Sequence, residues 1–283
     1  MRGFFLIIKA EIVRSFIIAR RYWFRSLTGM VIGYGMLMVM IAGFMVSRDK
    51  VETALAGKFD DPTAATNFVL GFIIGMFAFS VVGMFTQGLQ GMARTGVLEQ
   101  LCMSPHGLIT NFLARSVVGG VSTVLSSSLM VWLVTATVGG KLHFDPVSLP
   151  VLLLLTFINL LGFGYMMGGM VLVFKHVGEV ALLIRMALFA LAIMAREELM
   201  HSSFLLGAIM HALPITDAAI CIKYVLIQDQ VRVVNDVVTQ VSVFRHESFY
   251  FLLASCVFWT ATGMMCFKMM ENWSRAKGTL GSY

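Results

Sequence analysis

The feature that most constrains this chain is a series of apolar runs that approach or exceed the ~18 residues a helix needs to cross a bilayer. They lie at 27–46, 68–89, 108–138, 149–174, 180–195 and 249–270. Composition agrees: 58% of the 283 residues are hydrophobic and 13% are charged, where a soluble domain carries about a quarter charged. The expected fold class is an all-α integral membrane protein with six transmembrane helices in a single membrane domain, 1–283. No polar stretch is long enough for a separate soluble domain. No Gly-rich phosphate loop of the G-x-x-x-x-G-K-[ST] type is present, so the chain has no ATPase of its own.

The net charge of +6 is modest, calls for no nucleic acid, and is explained by basic residues at membrane edges. In 1–25, drawn at 100° per residue, Arg2, Lys9, Glu11, Arg14, Arg20, Arg21 and Arg25 share one broad arc. Phe4, Phe5, Ile8, Ile12, Phe16 and Trp23 fill the other, so this segment reads as a helix lying in the membrane interface against anionic head groups. Lys9, Glu11 and Arg14 interrupt any signal-peptide core. With the N-terminus inside and six spans, inner segments hold thirteen Lys and Arg and outer segments eight. That bias places both termini in the cytoplasm.

Several small motifs have two readings. Gly29-x-x-x-Gly33, Gly71-x-x-x-Gly75 and Gly164-x-x-x-Gly168 permit close helix approach. Ser122, Thr123, Ser126, Ser127 and Ser128 suit either helix packing or a pathway wall. Arg185 is expected to snorkel to the interface. Cys102, Cys221, Cys256 and Cys266 read as free thiols, without a disulfide framework or metal site. The 22 methionines read as lipid-facing or packing residues. Glu197, Glu198 and His201 form an E-E-x-x-H string that suits an interfacial helix end, or a metal or proton site. His143, His211 and His246 are isolated in sequence and receive no role. The segment 199–226 is too short for a span before Pro214 and suits a re-entrant or interfacial helical pair.

The stretch 93–107, A-R-T-G-V-L-E-Q-L-C-M-S-P-H-G, stands apart from its apolar flanks. Gly96 and Pro105 bracket good helix formers, predicting a helix of about two turns between the second and third spans. Val97, Leu98 and Leu101 would rest on an apolar surface while Glu99, Gln100 and Ser104 face elsewhere. The wording Gly96-Val97-Leu98-Glu99-Gln100-Leu101, then Met103-Ser104-Pro105, resembles the "G-T-L-E-x-L-x-x-S-P" stretch of type-2 ABC exporter permeases, a class that exports drugs, natural products, lipids and polysaccharides. Val97 stands where Thr is usual. Leu213-Pro214-Ile215-Thr216, followed by Lys223, resembles the same family's "L-P-L-T-x-x-x-x-x-x-R" pattern, with Lys for Arg.

The resemblance implies that 93–106 is a cytoplasmic coupling helix seated in a cleft of a separate ATPase, with Arg94, Gly96, Leu98, Glu99, Gln100, Leu101, Ser104 and Pro105 at the contact. It implies a second, minor contact at Lys175, His176 and Glu179, and an outer half-inserted element containing Pro214, Thr216 and Lys223. The implied partners are two copies of an ABC ATPase subunit, which would hold the ATP and magnesium, a second permease chain, and the bilayer. This chain would bind no cofactor and catalyse no reaction. The expected location is the cytoplasmic membrane of a prokaryote. Phenylalanine (23) far outnumbers tyrosine (6) and tryptophan (4), which favours an apolar or amphipathic cargo over a sugar that stacks on Tyr and Trp. Polysaccharide or glycolipid export is the alternative on the same fold. A membrane-embedded metal handler or enzyme using Glu197, Glu198 and His201 is the alternative outside it.

Overall fold

A backbone in hydrocarbon must satisfy its own N–H and C=O groups, and a helix does so within one segment. The computed structural model describes residues 2–51, 62–104, 107–138, 147–174, 177–196, 204–227, 231–234, 237–240 and 243–277, and its long apolar stretches are helical. In order these are α1 (Arg2–Arg21), α2 (Trp23–Val51), α3 (Pro62–Arg94), α4 (Val97–Cys102), α5 (Gly107–Val138), α6 (Ser148–Val173) and α7 (Val177–Met194). Then come α8 (Phe204–Ala212), α9 (Thr216–Leu226), a two-stranded hairpin of β1 (Val231–Val234) and β2 (Val237–Gln240), and α10 (Glu247–Ala276). Among the described residues, Asn67–Arg94, Gly107–Leu133, Ser148–Val173 and Glu247–Ala276 are long and apolar enough to cross a membrane. The chain is thus a helical membrane protein. The expected spans 27–46 and 180–195 are helical, as α2 and α7, and are not among these four.

Glycines set the closest packing. A Cβ added to Gly263 of α10 would lie 1.9 Å from the Gly162 carbonyl oxygen of α6, so the two backbones touch there. Two further bonds fasten this pair: Cys256 Sγ donates to the Leu155 carbonyl (3.1 Å) and Ser274 Oγ to the Leu172 carbonyl (3.3 Å). On α3, a Cβ at Gly71, Gly75 or Gly83 would strike Ile193, Phe189 or Arg185 of α7, respectively. The Gly71-x-x-x-Gly75 expectation therefore holds, and Gly83, eight residues on, meets the same helix. Gly164 and Gly168 receive Phe85 and Leu89 of α3. Gly29 differs: nothing lies within 4 Å of its added Cβ, and Gly33 meets only the tip of Met130.

Arg185 does not snorkel. It is 4% exposed, its Nε donates to the Phe79 carbonyl (3.0 Å), and its guanidinium lies 3.7 Å from the Phe79 ring centroid. Gly83 leaves the space that this side chain fills, and the aromatic face with one carbonyl takes the place of interfacial water. The hydroxyl stripe of α5 is divided, with Thr123 and Ser127 half-buried. Ser122, Ser126 and Ser128 are exposed, and only 11% of α5's most apolar stretch is buried, against 67% for α3.

At one end of the bundle, Tyr165 of α6 is ringed by Phe85, Phe112 and Phe267, with centroids 4.9, 6.4 and 5.3 Å away. These edge-on contacts join α3, α5, α6 and α10. The N-terminal helix α1 rests on this end of α5, where Glu11 lies 4.0 Å from Arg115. It is a helix as expected and stops at Arg21 rather than 25. The hairpin, with Val231 opposite Gln240 and Val234 opposite Val237, falls in the polar stretch 228–247, where no strand was expected.

Candidate functional site: the short helix between α3 and α5

Thr95 ends α3 by donating its hydroxyl back to the Gly91 carbonyl (2.9 Å). The chain then turns at Gly96, whose φ of +71° is a left-handed conformation that glycine adopts without a Cβ clash. Gly107, also at +71°, makes the matching turn into α5. Between them α4 is six residues long, shorter than the two turns expected. Met103 and Ser104 complete the segment through backbone bonds to the Glu99 and Leu101 carbonyls.

One side chain anchors α4. Leu98 is 1% exposed and joins the main core, with Leu101 and Cys102 packed partly against it. Burying a leucine is worth about 1.5–3 kcal/mol, which suits a helix too short to hold itself in water. The opposite side is open: Arg94, Glu99, Gln100 and Met103 are exposed, Met103 by 80%. Val97 belongs to this open side too, at 39% exposed. The expectation that it rests on the apolar surface fails because Leu98 occupies the inward direction and Val97 is 100° away. Ser104 also differs from expectation. It is half-buried and accepts a bond from Asn111 Nδ2 (2.8 Å), which also donates to the Gly107 carbonyl (2.8 Å). It serves the loop's own geometry.

The last turn of α10 braces the other end of α4. Arg275 Nη2 donates to the Cys102 carbonyl (3.3 Å), while Nη2 and Nε reach Glu271 Oε1 at 2.5 and 3.1 Å. Glu271 is 6% exposed. Burial raises the Cys102 thiol pKa, with Arg275 opposing, so Cys102 is a neutral thiol at pH 7. The bracing pair Glu271 and Arg275 carried no signal beyond their i,i+4 spacing, and Asn111 carried none.

Of the other residues expected to matter, Glu179 is exposed in the first turn of α7. It lies at the same end as α4, because neighbouring Gly178 abuts Gln90 near the end of α3. Pro105, Lys175, His176, Glu197, Glu198 and His201 lie outside the described residues. Among the described residues, no three His, Cys, Asp or Glu side chains gather as a metal site.

Of the segment 199–226, the described residues 204–226 form a helical pair, α8 and α9, broken at Pro214. Asn159 of α6 donates to the Pro214 carbonyl (2.8 Å), and Thr216 Oγ1 donates to the carbonyls of Met210 and Leu213. Lys223, 5% exposed, donates to the carbonyls of Ala192 (2.9 Å), Ile193 (3.2 Å) and Ala195 (2.9 Å). A cation at a helix C-terminus is favoured by the macrodipole and by the unpaired last carbonyls. Lys223 thereby joins α9 to the end of α7. His211, to which the sequence assigned no role, pairs with Asp217 (Nδ1–Oδ1 2.8 Å) and stacks on Phe251 of α10 (3.9 Å).

Compared with family models, curated proteins and solved structures, the chain matches none.

Proposed function

We propose that this chain is the permease subunit of an ATP-driven, type-2 ABC-like exporter that moves a hydrophobic or amphipathic small molecule or lipid out of the cytoplasm or inner leaflet. The observation that carries the reading is the build of α4. A six-residue helix is hinged at two left-handed glycines, plugged into the core by Leu98, and presents Arg94, Val97, Glu99, Gln100 and Met103 outward. Such a segment offers a firm, mixed polar and apolar knob at one end of a helical bundle, the shape a soluble partner can grip. The motif wording carried by Gly96, Leu98, Glu99 and Leu101 adds to it.

The reading includes six spans, with α2 and α7 as the first and fifth, both termini inside, and α4 in the cytoplasm where ATP is. Glu179, at the same end as α4, would make the minor contact. The partner ATPase supplies hydrolysis, and the permease transmits force. Two permease chains would form the pathway, and the exposed hydroxyls of α5 are suited to one of its walls.

The test is co-purification with the ATPase encoded beside this chain, with and without Glu99→Arg. Retention by the unsubstituted chain and release by the variant are expected. If the unsubstituted chain retains no ATPase in nanodiscs, the reading is wrong.

A further inference from the structure

α4 meets its covalent neighbours, α3 and α5, through glycines in the left-handed region. A sideways load on α4 therefore also passes through non-covalent contacts. One is the Leu98 plug. Another is the bond from Asn111 of α5 to Ser104. A third is Arg275, and it leads to a different helix.

Glu271 and Arg275 sit one turn apart on α10, and Glu271 Oε1 takes both Nε and Nη2. A planar fork held on one side leaves its direction fixed. Nη2 of that fork also meets the Cys102 carbonyl at the C-terminal end of α4. Lysine has no such geometry, since its ammonium is a point charge on a flexible stem.

From that grip α10 runs without a break to Glu247. It is backed along its length by α6, through Ser274–Leu172, the touching Gly263 and Gly162, and Cys256–Leu155. Its far half holds the α8–α9 bend in three ways. Trp259 Nε1 donates to the Ala212 carbonyl (3.1 Å), and Phe251 stacks on His211. Ser255 shares Asn159 with the Pro214 carbonyl (3.1 and 2.8 Å). Phe251 and Arg275 are separated by about 36 Å of helix, at 1.5 Å per residue. A closely packed helix pair of this kind shifts as a body.

We propose that Arg275 is a positioning residue that ties α4 to α10, so that displacement of α4 moves α10 with α6 and reaches the α8–α9 bend at the opposite end. This rests on the reading of α4 as the element a partner ATPase pushes.

The test uses the full chain with its ATPase in nanodiscs. In a Cys102→Ser, Cys266→Ser background, which keeps the residue 102 carbonyl, exposed Ala208 of α8 is replaced by Cys and labelled with bimane. Emission is read with ADP and with ATP plus vanadate. The unsubstituted Arg275 is expected to give a nucleotide-dependent change. Arg275→Met should cut that change about tenfold, the factor one charge-assisted hydrogen bond supplies, while the ATPase still co-purifies and hydrolyses ATP. Glu271→Gln, which keeps the shape and an acceptor but removes the charge that holds the fork, should move the response the same way to a smaller extent, and Arg275→Lys should restore part of it. A full response in both Arg275→Met and Glu271→Gln overturns the inference while leaving the exporter reading intact. A complex that never forms with the unsubstituted chain overturns both.

Discussion

Gly263→Ala is the substitution whose effect can be worked most directly from the fold. The new Cβ would sit 1.9 Å from the Gly162 carbonyl oxygen and 2.7 Å from its carbonyl carbon. Ordinary contact begins at 3.4 Å, so about 1.5 Å of separation is needed between α6 and α10. The obstacle is backbone, so no rotamer change relieves it. A gap of 0.5–1 Å already forfeits a quarter to a half of a dispersion contact, and this interface includes Gly169 against Phe267. Overpacking typically costs 1–3 kcal/mol, and a backbone-on-backbone clash belongs at the top of that range, about 3 kcal/mol. At ~2–4 °C per kcal/mol for a chain of this size, the Tm in detergent or nanodiscs should fall by about 10 °C. Gly29→Ala is the internal control: its Cβ meets nothing within 4 Å, and alanine is the better helix former. If Gly263→Ala melts together with Gly29→Ala, the close approach of α6 and α10 does not exist as described.

Leu98→Ala should lower stability by ~2–5 kcal/mol, the range for emptying a buried leucine site, whereas exposed Glu99→Ala should leave Tm unchanged and weaken only ATPase retention; a melting series with co-purification separates the two. Lys223→Met removes the donor from two carbonyls of α7 and that of Ala195 just beyond it and should cost about 2–3 kcal/mol, read as increased protease cleavage in the 195–204 connection. Asn159→Leu strands the Pro214 carbonyl and should cost about 1–3 kcal/mol, read as a lower Tm that Ser255→Ala alone does not reproduce.

What the sequence revealed and what it concealed separate along a physical line. Periodicity-free apolar length is a property of the segment itself, so the positions of α3, α5, α6 and α10 were readable to within a few residues. The ends of α3 and α10 ran past the expected borders because a helix does not stop where its apolar residues do. The short helix at α4 was readable because glycines and a proline punctuate it locally. Partner choice was not readable in this way. Gly29-x-x-x-Gly33 and Gly71-x-x-x-Gly75 are the same word, yet among the described residues only the second meets the backbone of another helix, while Gly33 meets just the tip of Met130. Arg185 looked like an interfacial anchor because burial of its guanidinium depends on Gly83 and Phe79, a hundred residues earlier and on another helix.

The same logic explains why Arg275 and Glu271 escaped notice. On the sequence they are an ordinary i,i+4 pair near the end of a long helix, a pairing worth only a few tenths of a kcal/mol when exposed. What changes their meaning is the position of Cys102, 173 residues away, whose carbonyl the guanidinium meets. The two residues with the plainest motif wording, Glu99 and Gln100, face solvent and hold nothing within the described chain together, so their identity is free to be set by a partner. Leu98 is buried, and Arg275, though partly exposed, is held by buried Glu271 and by the Cys102 carbonyl, so the identity of both is set by the fold. A segment that must be both gripped from outside and fastened from inside needs both kinds of residue within two turns of helix, and α4 with its brace has them.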